Sequence, residues 1–197
     1  THSEQAESET AKSCLLQIVK MDQLSLLAEQ LDKAPEGAKV VLIDVIAAKG
    51  DPGYFDTLYD LAGKGGATGS AAISQLYMVS REQHLEKLLV LFDRQEKKAE
   101  RSHIEKALVS AINSHPDRAA ATEQVIVHAR KNKSMEDYMG VLTTVGGSRA
   151  LEAIYSICLN DASPQKEQAF TNYLSIVSGS AAADDQKLLL LRKISPL

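Results

Sequence analysis

Leu, Ile, Val and Ala recur along almost the whole chain at i, i+3, i+4 and i+7, in stretches of helix length separated by short breaks carrying Gly, Pro, Ser or Asp. The spacing predicts helices over about 5–20, 22–33, 36–49, 53–63, 68–79, 82–93, 98–114, 118–131, 135–145, 149–160, 164–178 and 184–195. One stretch reads two ways. In AKVVLIDVIAA, the run Val40-Val41-Leu42-Ile43 suits a buried strand, yet Val40, Ile43, Ile46 and Ala47 also share one helical face. The helical patterns on both sides favour helix here.

The breaks are themselves spaced. Met21-Asp22, Gly50-Asp51-Pro52, Ser80, His115-Pro116-Asp117, Gly146-Gly147-Ser148 and Gly179-Ser180 fall about 30 to 36 residues apart, the period of a two-helix repeat. A second set lies between them, at Lys33-Ala34-Pro35, Lys64-Gly65-Gly66, Asp93-Arg94-Gln95, Asn132-Lys133 and Asn160-Asp161-Ala162. The chain therefore reads as six hairpins. A two-helix hairpin with one apolar face cannot bury that face alone, so successive hairpins are expected to stack and share a continuous core with polar caps at the ends. Ile73, Leu88, Leu91, Leu108, Ile154 and Leu174 are expected core positions, each worth about 1.5–3 kcal/mol when buried.

Helix starts leave N–H groups unpaired, and short oxygen-bearing side chains at the breaks are placed to accept from them. Gly50 is expected to end one helix in a left-handed conformation, and Asp51-Pro52 to open the next. Ser163-Pro164 repeats the device, and Ser80-x-x-Gln83, Ser102-x-x-Glu105 and Ser134-x-x-Asp137 resemble capping boxes.

Residues 70–93, SAAISQLYMVSREQHLEKLLVLFD, carry Ala71-Ala72-x-x-x-Leu76 followed by Leu85-x-x-Leu88-Leu89-x-Leu91. This outline resembles a bacterial HEAT-like repeat of the phycobilisome-lyase type. It recurs more weakly from Lys106-Ala107-Leu108 to Val125-Ile126 and in Leu151-x-x-Ile154. Asp51 and Asp117 match the turn aspartate of such repeats, while their Val-Arg pair is missing. The resemblance implies an all-α fold, a right-handed α-α superhelix or solenoid of about six stacked hairpins, acting as a scaffold. It carries over no catalytic residue.

Composition narrows the picture further. The 197 residues are 44% hydrophobic and 24% charged, a balance expected of one soluble globular domain with a polar, flexible first ten residues. With 26 acidic and 22 basic residues and no basic stripe, nucleic acid is not an expected partner. No apolar run reaches the length of a membrane span. The chain begins at Thr1, which suggests a trimmed start behind which a targeting segment could have been lost, so compartment stays open. Cys14 and Cys158 sit within apolar helical patterns, as small hydrophobes do.

Several stretches imitate catalytic motifs. Gly147-Ser148-Arg149 looks like a nucleophile elbow, but hydrolases of that architecture place their histidine after the serine, and none follows His128. Ser148 is expected instead as an N-cap. GKGGATGS, residues 63–70, suggests a phosphate cradle but has Lys64 on the wrong side of the glycines for a Walker loop. His2, His84, His103, His115 and His128 never pair at i, i+4 and are expected at the surface or at helix ends. Asp184-Asp185 and Glu136-Asp137 fall at expected helix starts, where they offset the helix dipole. No cofactor and no metal is expected.

The leading expectation is a non-catalytic module, alone or within a larger multidomain chain, that binds a protein or peptide on the concave face of the stack. Tyr59, His84, Lys87, Glu123, His128, Glu152 and Tyr155, all on second helices of their hairpins, are the expected contacts. Two alternatives stand beside it. One is an α/β nucleotide-binding enzyme using a strand at 40–43 and the Gly-rich loop at 63–70. The other is an all-α enzyme acting on a polymer held in the superhelical groove.

Overall fold

The computed structural model describes residues 2–194, with side chains from residue 6. Position 195, the expected end of the last helix, and the side chain of His2 lie outside the described residues. The described chain is all-helical, and no strand occurs among the described residues. Its helices are α1 (His2–Ile18), α2 (Leu24–Leu31), α3 (Glu36–Ala48), α4 (Phe55–Ala62), α5 (Gly66–Val79), α6 (Leu85–Arg94), α7 (Lys98–Ser114), α8 (Arg118–Lys131), α9 (Met139–Val145), α10 (Gly147–Cys158), α11 (Lys166–Gly179) and α12 (Asp184–Ile194). Single 3₁₀ turns at Met21–Gln23, Pro52–Tyr54 and Glu82–His84 lead into α2, α4 and α6. The chain clusters into two compact units, residues 1–111 and 112–197, and the division falls within α7.

The Gly50 break forms as its chemistry dictates. Gly50 sits at φ +71° after α3, where an L side chain would be strained. Asp51 then accepts the Gly53 N–H at 2.9 Å, with Pro52 at the first turn position. Residues 40–43 lie inside α3 and not in a strand, because Ile43, Val45, Ile46 and Ala47 are all buried against neighbouring helices. That placement removes the strand on which an α/β nucleotide-binding fold would depend.

The serine caps differ from expectation. Ser80 ends α5 and returns its hydroxyl proton to the Leu76 carbonyl at 2.7 Å. The capping acceptor in that break is His84 Nδ1, which takes the Arg81 N–H at 3.0 Å. Gln23 does the same for the Lys20 N–H, also at 3.0 Å. Ser102 lies inside α7, and Ser148 is the second residue of α10, opened instead by Gly146 at φ +66°. Ser134 makes no side-chain cap hydrogen bond. Ser163 accepts the Gln165 N–H at 3.2 Å and donates to Glu136, so it ties the break before α11 to the break before α9.

In the first unit, α3 packs on both α1 and α5, and α5 packs on α4. Phe55, Leu58, Ile73, Leu76, Leu88 and Phe92 are fully buried, and burial of each stabilises by about 1.5–3 kcal/mol. The polar contacts between helices keep one offset. Lys12 donates to Asp44 at 2.7 Å and Gln75 donates to the other Asp44 oxygen at 2.9 Å, joining α1, α3 and α5 in one rung. At the helix ends, Lys49 reaches the Leu16 carbonyl, Arg81 the Gly50 carbonyl and Ser110 the Ser80 carbonyl. Ser70 reaches Glu100, and Lys87 reaches Asp56. Each of these contacts joins residues 30 to 33 apart in sequence.

In the second unit, α10 packs against α8, α9 and α11, and α11 packs against α9 and α12. Its core joins Ile126, Leu142, Ile154, Cys158, Tyr173 and Val177. Ala169, Tyr173 and Val177, four residues apart, form the buried stripe of α11. Leu174, expected in the core, lies one step around the helix and is 42% exposed.

Candidate functional site

All seven expected contact residues fall on the even-numbered helices or the turns leading into them; those of the first unit gather around Phe55, and those of the second do not form a single cluster. In the first unit, Phe55 is fully buried at the start of α4 and anchors two rings. The imidazole of His84 stacks on it with centroids 3.8 Å apart, and Tyr59, one helical turn on, stacks at 5.8 Å. His84 is 8% exposed, and burial pushes its pKa below the ordinary histidine value. Packing and capping account for this histidine. Lys87, one turn into α6, bonds Asp56 Oδ1 at 2.7 Å and lies over the Tyr59 ring at 5.9 Å from its centroid. The hydrogen bond to Asp56 holds the Lys87 ammonium above its usual range. Tyr59, Asp56 and Lys87 thus form a surface patch bridging α4 and α6.

Beside that patch lies a cleft of about 370 Å³. Tyr59, Ile73 and Leu91 supply its apolar lining, the α4–α5 turn supplies Gly63 and Gly65, and the first turn of α5 supplies Gly69. Arg94, Lys97 and Glu100 come from the end of α6 and the start of α7. Glu100 receives Ser70 at 2.9 Å and Lys97 at 3.0 Å. Burial pushes its carboxyl up, but these two hydrogen bonds together with the charges of Lys97 and His103 outweigh that effect and leave it below the usual carboxylate range. Gly65 and Gly66 have φ of +71° and +66°, so the turn that borders the cleft needs glycine.

In the second unit, Arg149 at the start of α10 stands between Glu123 of α8, at 3.7 Å, and Glu152, at 3.8 Å. Tyr155 is half-buried against Tyr173, with centroids 5.9 Å apart, and its hydroxyl donates to the Lys193 carbonyl at 3.3 Å. His128 packs edge-on against the buried Tyr138, with Nε2 3.0 Å from the Asn132 side-chain amide. Glu123, Glu152 and Tyr155 therefore share α8 and α10, while His128 belongs with the end of α8.

Sequence reasoning missed Asp56, Arg149 and Arg94. Charged residues are frequent on every exposed helix face, and only lateral packing shows which of them meet. Of the other histidines, His115 accepts the Asp117 N–H at 2.9 Å, a helix-end role. Among the described residues no group of three His, Cys, Asp or Glu side chains is placed to hold a metal ion, and no helix is long and apolar enough to cross a membrane. No protein-family model, curated protein or solved structure matches the chain.

Proposed function

We propose that the chain is a non-catalytic, HEAT-like helical-repeat module whose hairpins stack by translation, and that its even-numbered helices present the binding surface for a protein or peptide partner. The observation that carries this reading is the constant offset of 30 to 33 residues in the inter-helix contacts of the first unit. A regular offset means that each hairpin meets the next in the same register, which is how a repeat array shares its core. The recurrence of the 3₁₀ entry turn before α2, α4 and α6 supports the same register.

An array of this kind uses its odd helices for rungs such as Lys12–Asp44–Gln75 and leaves its even helices with aromatic and charged side chains at the surface. Tyrosine and arginine are enriched at interface centres, and other charged side chains populate the rim around them. Glu123, Arg149, Glu152 and Tyr155 give the second unit a surface of the same kind.

Site-specific photo-crosslinkers test the reading. Probes placed at Tyr59 on α4 of the first unit and at Tyr155 on α10 of the second are each expected to capture a partner, and a probe at Tyr77 on the odd helix α5, which is 37% exposed, is expected to capture none. Replacing Lys87 and Glu152 by residues of opposite charge should abolish capture. Capture from Tyr77 alone, or capture indifferent to both reversals, would contradict the proposal.

A further inference from the structure

The cleft beside Tyr59 contains two polar groups that the fold does not use. Tyr59 makes ring contacts with Phe55 and Lys87, and its hydroxyl has no hydrogen-bond partner among the described residues. Arg94, exposed at the last position of α6, has no ion-pair partner among the described residues either. The other charges of the cleft are matched: Lys97 is paired with Glu100, which Ser70 also holds. The cleft therefore carries a surplus positive charge on a planar, multidentate donor, with the phenolic hydroxyl of Tyr59 lining the same cleft and the buried side chains of Ile73 and Leu91 closing its floor.

The geometry points to this cleft as a docking pocket for an acidic peptide segment, one that lays an aliphatic side chain against the half-buried Tyr59 ring, over the floor formed by Ile73 and Leu91, and sets a neighbouring Asp or Glu carboxylate on Arg94 and the Tyr59 hydroxyl. A volume of about 370 Å³ accommodates one such side chain and a carboxylate beside it. Guanidinium is suited to the carboxylate because its fork of N–H donors matches the two oxygens, and a phenol adds a third donor. The surplus charge disfavours a basic segment, since Glu100, the carboxylate that lines the cleft, is already held by Lys97 and Ser70 and a lysine there would face Arg94. Glu100 does not repel the incoming carboxylate strongly, because Lys97 and Ser70 already hold it. The residues that border the pocket come from two successive connections, α4 to α5 and α6 to α7, so the repeat itself builds it.

This inference rests on the partner-binding reading and names the chemistry of the partner. The test is a titration of the uniformly ¹⁵N-labelled full chain with two capped pentapeptides, Ser-Glu-Leu-Asp-Ser and Ser-Lys-Leu-Lys-Ser, followed by amide shifts. The acidic peptide is expected to shift Gly65, Gly69, Ser70 and Ile73 saturably and to bind at least tenfold more tightly than the basic one. Arg94→Glu should remove that preference, and Tyr59→Phe should weaken the acidic peptide a few-fold. Arg94 is exposed, so circular dichroism of Arg94→Glu should match the parent chain. Equal shifts with both peptides, shifts elsewhere on the surface, or an Arg94→Glu chain that still prefers the acidic peptide would overturn the proposal. If those results came while crosslinks from Tyr59 and Tyr155 persisted, the pocket would fall and the even-helix surface would stand.

Discussion

The imidazole of His84 lies flat on the ring of Phe55, with centroids 3.8 Å apart and planes within 2° of parallel. Burial in this stack lowers the histidine's pKa in the folded chain, whereas the unfolded chain titrates near its ordinary value of about 6.5. The unfolded state therefore binds the proton first. The contribution is complete above about pH 6.5 and is lost as pH falls through that value toward the folded pKa. Thermal unfolding followed by circular dichroism should show a midpoint that declines from pH 7.5 to 5. His84→Gln keeps an acceptor for the Arg81 N–H, as Gln23 does for Lys20, and should flatten that decline.

Asp44 holds two donors from two different helices, Lys12 at 2.7 Å and Gln75 at 2.9 Å, and its side chain is 17% exposed. Asp44→Ala leaves both donors without their acceptor, and urea denaturation should record a loss of about 1–3 kcal/mol. Lys87 and Asp56 form an equally short pair on the open surface, where solvent screens it and side-chain entropy offsets it. Lys87→Ala should leave the urea midpoint unmoved.

Two glycines should respond in opposite directions. Gly50, at φ +71°, takes a conformation that L residues avoid, so Gly50→Ala should cost about 1–2 kcal/mol. Gly37 lies in the first turn of α3, and a Cβ there meets nothing within 4 Å. Gly37→Ala should stabilise the chain by about 0.4–1 kcal/mol through the unfolded state. Paired chemical denaturation curves distinguish the two signs.

Tyr173, fully buried in α11, donates to the Leu190 carbonyl of α12 at 3.0 Å. Tyr173→Phe should cost about 1 kcal/mol. The effect should be local: hydrogen exchange is expected to quicken in α12 and leave α8 unchanged.

The helices were legible because their signal is carried within each segment. α7 and α8 begin and end where periodicity places them, since Asp117 caps α8 through the Ala120 N–H at 2.9 Å. α5 starts two residues earlier than its apolar pattern because Gly65 and Gly66 turn the chain through positive φ, which periodicity does not register. The His84 cap escaped notice because imidazole lies outside the Ser/Thr-x-x-Glu/Gln pattern. Leu174 was misplaced because α11 is apolar around more than one face, and packing alone chose the stripe through Tyr173.

Of the candidate surface, its location on even helices followed from the hairpin count, but its charge partners did not. Asp56 and Lys87 are 31 residues apart, and nothing local in either helix tells which carboxylate a lysine will meet. The same is true of the Asp44 rung and of Arg94, which has no ion-pair partner among the described residues; both depend on lateral register.

Translational stacking of the first unit is most directly tested by zero-length carbodiimide crosslinking and peptide mapping. The account predicts lysine–carboxylate links at Lys12–Asp44, Lys64–Asp32 and Lys87–Asp56, whose atoms stand 2.7, 3.5 and 2.7 Å apart. Links that skip this register, with all three of these absent, would contradict it.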